Sequence, residues 1–131
     1  MSGDRIYRKV AYGPLLDVFL IDMRSYRCAN DAHLNGGTNA PVDLLGVQQL
    51  TWLKRELARS RAVWKVIAAD MPIGLVSQDA VALGDGPPHG RVHEIADLLS
   101  FMHVAGVVNV VWLTADMHYT AAHYYDPNRA V

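Results

Sequence analysis

Asp22, Asp70 and Asp116 each follow an apolar run, and His118 stands two positions after the last of them. The runs are residues 15–21 (LLDVFLI), 63–69 (VWKVIAA) and 107–114 (VVNVVWLT), with the length and bulk of interior strands buried on both faces. In an open α/β sheet the carboxyl ends of parallel strands share one rim, and ligands bind there. Carboxylates gathered on that rim repel one another unless a cation neutralises them, and oxygen and nitrogen donors suit a hard or borderline metal ion. If the backbone stays extended, Asp116 and His118 project to the same side, which makes them the sharpest pair. Taken singly, each has a plainer reading as a strand-end aspartate or a solvent-facing histidine. Asp70, ahead of Met71 and Pro72, serves equally well to close a strand. Asp22 with Arg24, Tyr26 and Arg27 is either an ion pair anchoring the segment that follows or two guanidinium groups offered to an anionic substrate. The second option draws on the match between guanidinium and phosphate oxygens.

These residues need elements to position them. Residues 6–12 read as an edge strand stopped by Gly13 and Pro14, and residues 23–45 as a long polar insertion rich in turn signals. Val47, Leu50, Leu53 and Leu57 recur at helical spacing, with Gln48, Gln49, Lys54, Arg55 and Arg59 assigned to other faces. After a Gly-Pro loop at residues 84–90, Val92, Ile95, Leu99 and Met102 mark a second amphipathic helix. Leu98 widens its stripe and Gly106 is placed to end it. Residues 120–125 extend or pair before Asp126 and Pro127 turn the chain. Helices alternating with apolar strands imply right-handed crossovers and a mostly parallel sheet, an α/β class.

The remaining histidines add little to the rim. His123 falls on the opposite face from His118 in an unbroken strand. His93 and His103 belong to a helix, His89 to the Gly-Pro loop and His33 to the polar insertion. Trp52, Trp64 and Trp112 read as packing residues. Ser60, Ser77 and Ser100 lack a nucleophile-elbow setting, and neither dinucleotide nor P-loop glycine motifs occur. Cys28 is the single cysteine, so an intramolecular disulfide is excluded, and nothing local would activate it as a nucleophile.

Composition sets the outer bounds. A chain of 131 residues, 51% of them hydrophobic, can bury a core without metal or disulfide staples. A net charge of -1 with 19% charged residues argues against a disordered tail or a basic nucleic-acid binder. No apolar run approaches the ~20 residues of a membrane span, and no export signal opens the chain.

Four ordered segments, residues 19–27 (FLIDMRSYR), 45–53 (LGVQQLTWL), 64–67 (WKVI) and 109–119 (NVVWLTADMHY), together resemble the alkaline phosphatase D family of calcineurin-like metallophosphoesterases. The resemblance implies an α/β sandwich with a dinuclear metal site at the strand ends. It also implies hydrolysis of phosphate esters by a metal-activated hydroxide, with two ions of calcium, iron, zinc or manganese type. Asp116 and His118 resemble the family's closing metal-binding motif, although Ala115 stands where the family usually has glycine. Asp70 stands where the wider superfamily carries a histidine ligand, and is carried over as a possible ligand. Asp22, Arg24, Tyr26 and Arg27 fall in the family's Asp-x-Arg-x-Tyr-Arg segment, with substrate-side or supporting roles implied. Members are often exported. No counterpart of the family's earlier metal motifs occurs in residues 1–131, so the chain is expected to be the C-terminal portion of a catalytic domain, inactive or nearly so in isolation. The expected partner is a phosphate ester, with neither nucleic acid nor membrane involved. Two alternatives stand beside this reading. One is a non-catalytic piece that forms homo-oligomers through an uncovered apolar sheet face, and the other is a phosphodiesterase on the same scaffold.

Overall fold

A computed structural model describes residues 5–28, 43–73, 90–116, 118, 120–122 and 124. Four strands and two helices follow in the order β1 (Arg8–Tyr12), β2 (Leu16–Leu20), α1 (Val47–Arg59), β3 (Trp64–Ala68), α2 (Val92–Val104) and β4 (Val110–Leu113). They build one mixed sheet of order β1-β2-β3-β4. β1 and β2 form an antiparallel hairpin ending at the Tyr12–Leu16 pair, turned by left-handed Gly13 and by Pro14. β2, β3 and β4 run parallel, with Leu20 beside Ala68 and Ala68 beside Leu113.

This strand order fixes where the core sits. Each crossover steps the same way across the sheet, and right-handed connections then lay both helices on one face. On that face Phe19 and Ile67 pack with Leu53 and Leu57 of α1 and with Ile95, Leu98 and Met102 of α2. The opposite face carries Leu16, Val18 and Leu20, then Trp64 and Val66, then Val111 and Leu113. Among the described residues nothing buries it: Trp64 is 50% and Leu113 58% exposed. The expectation of strands covered on both faces is thereby corrected, because alternation is real even where the sequence run looks continuous. Residues 107–114 were expected to form an interior strand, yet β4 is a border strand of the described sheet.

Both helices form where their spacing predicts, with shifted stripes. In α1 the fully buried line is Gln49, Leu53 and Leu57 with Trp52 beside it, while Val47 is left in solvent. Gln49 was expected on a polar face and is instead 1% exposed. In α2 Leu98 joins Val92, Ile95 and Met102 in the buried stripe, and Leu99 flanks it. Gly106 ends α2 as expected: its φ is 66°, its N–H donates to His103 O at 3.2 Å, and Val107 N–H donates to Met102 O at 2.8 Å. That bond pair is a Schellman closure, which needs a left-handed residue at the first of the two donors, here Gly106. Thr120, Ala121, Ala122 and Tyr124 lie in no strand. His33, His89 and His123, and most of the two long insertions, lie outside the described residues.

Candidate functional site

The parallel register brings the three aspartates to one edge. Asp22 lies two residues beyond Leu20, Asp70 two beyond Ala68 and Asp116 three beyond Leu113, and those three strand ends are aligned neighbours. The edge is drawn together by backbone bonds from Ile21 N to Ala68 O at 3.0 Å and from Ala69 N to Leu113 O at 2.9 Å.

Asp22 is the most enclosed of the three and faces its own chain. Its Oδ1 accepts from the backbone N–H groups of Arg24 and Ser25, each at 2.8 Å. This is an aspartate-closed turn that bends the chain directly after β2. Burial alone would push the Asp22 carboxyl up. The Ser25 side chain and the two backbone donors outweigh it, so the group titrates below the usual aspartate value. The backbone of Asp22 is fixed in turn by α1: Gln49 Nε2 donates to Asp22 O and Gln49 Oε1 accepts from Asp22 N, both at 2.8 Å.

The turn delivers Arg24 to the rim. Arg24 Nη2 donates to Asp116 Oδ2 at 2.9 Å, and its Nε lies 3.4 Å from Asp70 Oδ2. Asp70 uses its other oxygen, Oδ1, to accept from Met23 N at 2.9 Å. One guanidinium thus spans the tips that follow β3 and β4. The repulsion expected between strand-end carboxylates is relieved by a cation supplied from the sequence itself. Of the two readings of the Asp22 segment, the ion pair is relocated: Asp22 is satisfied by N–H donors, and the ion pairs of Arg24 go to Asp70 and Asp116.

The other proposed site residues divide. Asp116 and His118 are exposed, with φ of 80° and 54°. Their backbone is therefore left-handed rather than extended, and the two-residue alternation that would aim them at a shared target does not apply here. Aspartate tolerates this region better than most residues because its short side chain bonds locally. The strained position is Asp116 itself; Ala115 has no positive φ. Tyr26 makes an edge-on contact with Tyr7 (ring centroids 5.7 Å apart), and Tyr7 lies tilted against Trp52 with centroids 4.8 Å apart. Tyr26 belongs to an aromatic cluster with Tyr7 and Trp52 of α1. Arg27 Nη1 approaches Met71 Sδ at 3.7 Å.

Three supports of this edge were not singled out from sequence. Gln49 is one. Glu94 of α2 is another, its Oε2 accepting from Leu44 N at 3.1 Å and Leu45 N at 2.6 Å just before α1 begins. Arg91, buried to 9% exposure, donates to Cys28 O. A polar residue on the apolar phase of a helix is the signal that would have found Gln49.

Asp70 and Asp116 turn two hard oxygens toward one cationic group, and water reaches both, with side-chain exposures of 32% and 45%. Their chemistry fits a hard cation in kind, with the guanidinium as its stand-in. In number the set is incomplete: among the described residues no three His, Cys, Asp or Glu side chains are gathered to hold a metal ion. Among the described residues no helix is long and apolar enough to cross a membrane.

The profile of the "PhoD-like phosphatase" family matches residues 1–131. Alkaline phosphatase D of Bacillus subtilis (strain 168) is 31% identical over 129 residues, covering 87% of this chain. The chain spans only 21% of that relative's length. A solved structure described as "Structure of PhoD" superposes with a TM-score of 0.64 at 25% identity, covering 87% of this chain and 24% of that one.

Proposed function

The chain belongs to the PhoD-like phosphatase family, and from that premise we propose that it is the C-terminal part of a catalytic domain that hydrolyses phosphate esters. The observation that carries this reading is the convergence of Asp70 and Asp116 on one cationic group at the carboxyl edge of a parallel sheet. In this reading Asp70, Asp116 and His118 are donors to metal ions. Bound metal ions would supply a hydroxide nucleophile at neutral pH and polarise the phosphoryl oxygens. The chain's own residues do the positioning. Gln49 and the Asp22 turn hold Arg24 over the edge, and Arg24, with Arg27 three residues on, sets positive charge beside the place a phosphate dianion would enter. The described donor set is incomplete, so turnover by this chain alone is expected at background level.

The test uses the longer protein. Asp116→Ala and His118→Ala should each lower hydrolysis of p-nitrophenyl phosphate by about two to three orders of magnitude and reduce bound metal. Undiminished turnover would refute the assignment. Bis(p-nitrophenyl) phosphate in parallel separates monoester from diester preference.

A second reading, a self-associating chain, is favoured by the apolar face that carries Val18, Leu20, Trp64, Val111 and Leu113. Apolar patches of this kind are uncommon on monomers. Light scattering after size exclusion should show a dimer or larger species, and Trp64→Lys with Leu113→Lys should shift it to monomer. A monodisperse wild-type monomer counts against it.

A further inference from the structure

We propose that Glu94 is the positioning residue of Arg24: acting through Leu45, Gln49 and Asp22, it sets where the rim guanidinium stands and so how tightly the substrate's phosphoryl group is held. This rests on the phosphatase reading above, in which Arg24 meets that group, and adds to it a residue on the second helix.

The path is hydrogen-bonded at every step. Glu94 Oε2, on α2, accepts from Leu44 N at 3.1 Å and from Leu45 N at 2.6 Å. Leu45 O accepts from Gln49 Nε2 at 3.0 Å. The same Nε2 donates to Asp22 O, and Gln49 Oε1 accepts from Asp22 N, each at 2.8 Å. Asp22 Oδ1 accepts in turn from the backbone N–H groups of Arg24 and Ser25. Leu45 is the joint, held by its N–H on one side and its carbonyl on the other. The start of α1 supplies no substitute for Glu94, because its cap is Gly46 and its first turn carries no acidic residue. Leu44 and Leu45 are 0% exposed, so amides released by Glu94 regain a partner only if the segment shifts. Gln49, 1% exposed, has committed both ends of its amide and carries such a shift to Asp22. At the far end Arg24 touches Asp70 and Asp116 through exposed ion pairs, which are held weakly. The guanidinium therefore stands where its backbone is fixed, and a displacement of about 1 Å weakens a contact that depends on orientation.

The experiment follows hydrolysis of p-nitrophenyl phosphate by the longer protein as wild type, Glu94→Ala, Glu94→Gln, Arg24→Gln, Lys54→Gln and the double variant of Glu94→Ala with Arg24→Gln. Glu94→Ala should raise KM about three- to tenfold, with kcat within about twofold of wild type. Glu94→Gln keeps an oxygen acceptor for the two amides and should restore KM. Lys54→Gln cuts a different tie between the helices, the ion pair with Asp97, and should leave both constants unchanged. In the Arg24→Gln background, where KM is already raised, Glu94→Ala should add nothing; additive effects overturn the proposal. The backbone amides of Arg24 and Ser25 should exchange hydrogen faster in Glu94→Ala and at the wild-type rate in Lys54→Gln. An unchanged KM in Glu94→Ala beside a raised KM in Arg24→Gln overturns the proposal and leaves the phosphatase reading standing. An unmoved KM in Arg24→Gln overturns it as well, and absence of turnover in wild type removes the phosphatase reading with it. Should Glu94→Ala fail to fold by circular dichroism, Glu94→Asp, one methylene shorter with the same charge, takes its place under the same outcomes.

Discussion

Gln49 grips Asp22 by both of that residue's backbone groups, Oε1 accepting from its N–H and Nε2 donating to its carbonyl, each at 2.8 Å. A side-chain amide mimics a neighbouring strand here, capping β2 where its ladder runs out. Gln49→Leu keeps most of the volume and leaves a buried N–H and C=O without partners. It should lower stability by about 2–4 kcal/mol, seen as a lower urea midpoint with unchanged slope. A loss below about 0.5 kcal/mol would mean the two bonds contribute nothing net.

Asp22 closes its turn through a single oxygen, Oδ1. Asparagine retains an acceptor there and alanine does not. Asp22→Asn should therefore stay within about 1 kcal/mol of wild type, and Asp22→Ala should cost about 1–2 kcal/mol. Arg24 should report the same difference, its Nε–H signal surviving in the asparagine variant and broadening in the alanine one.

Asp17 lies on the helix-covered face at the other end of β2, 5% exposed, with Ser60 Oγ at 2.6 Å and Lys9 Nζ at 3.1 Å. Burial pushes its carboxyl up, but the Ser60 hydroxyl, Lys9 and Lys65 outweigh burial and leave it below the usual aspartate value. A carboxyl depressed by folding stabilises the fold above its unfolded pKa of about 4 and loses that contribution as pH falls through the folded value. Asp17→Asn should thus be less stable at pH 7 by about 1–3 kcal/mol, with the gap to wild type closing below about pH 4. Parallel stability curves at pH 7 and pH 3 would contradict this.

Asn109 enters β4 with φ 56° and donates from Nδ2 to Val63 O at 3.1 Å. Asn109→Gly keeps the left-handed backbone and loses the bond, whereas Asn109→Val loses both. Thermal melts should rank wild type, glycine and valine in that order, with valine down by about 2 kcal/mol.

Much of this architecture was legible because it rests on local signals. Gly13-Pro14 marks the end of β1, the 3.6-residue spacing marks both helices, and Gly106 marks the end of α2. The rim was legible as well, since a strand's last residues must lie at its carboxyl edge whatever the rest of the chain does. Side-chain partners at that rim were not. Arg24 and Asp116 are 92 positions apart, and nothing in either segment records that they meet. The left-handed turns at Asp116 and His118 escaped for a similar reason. An extended continuation was the default, and the strand ends at Leu113, before the motif begins. Face assignment failed where apolar residues fill both phases of a strand, because only the direction of the crossovers decides which phase the helices cover.

The sheet's strand order equals its order along the chain, and this bears on how the polypeptide matures. Among the four described strands, none has to be threaded between two earlier ones. The β1–β2 hairpin closes through three turn residues, an event of about microseconds. Each parallel partner then waits for a whole helix to emerge before its long loop can close. During synthesis these four strands are therefore added at one border only, and that border belongs to the youngest of them.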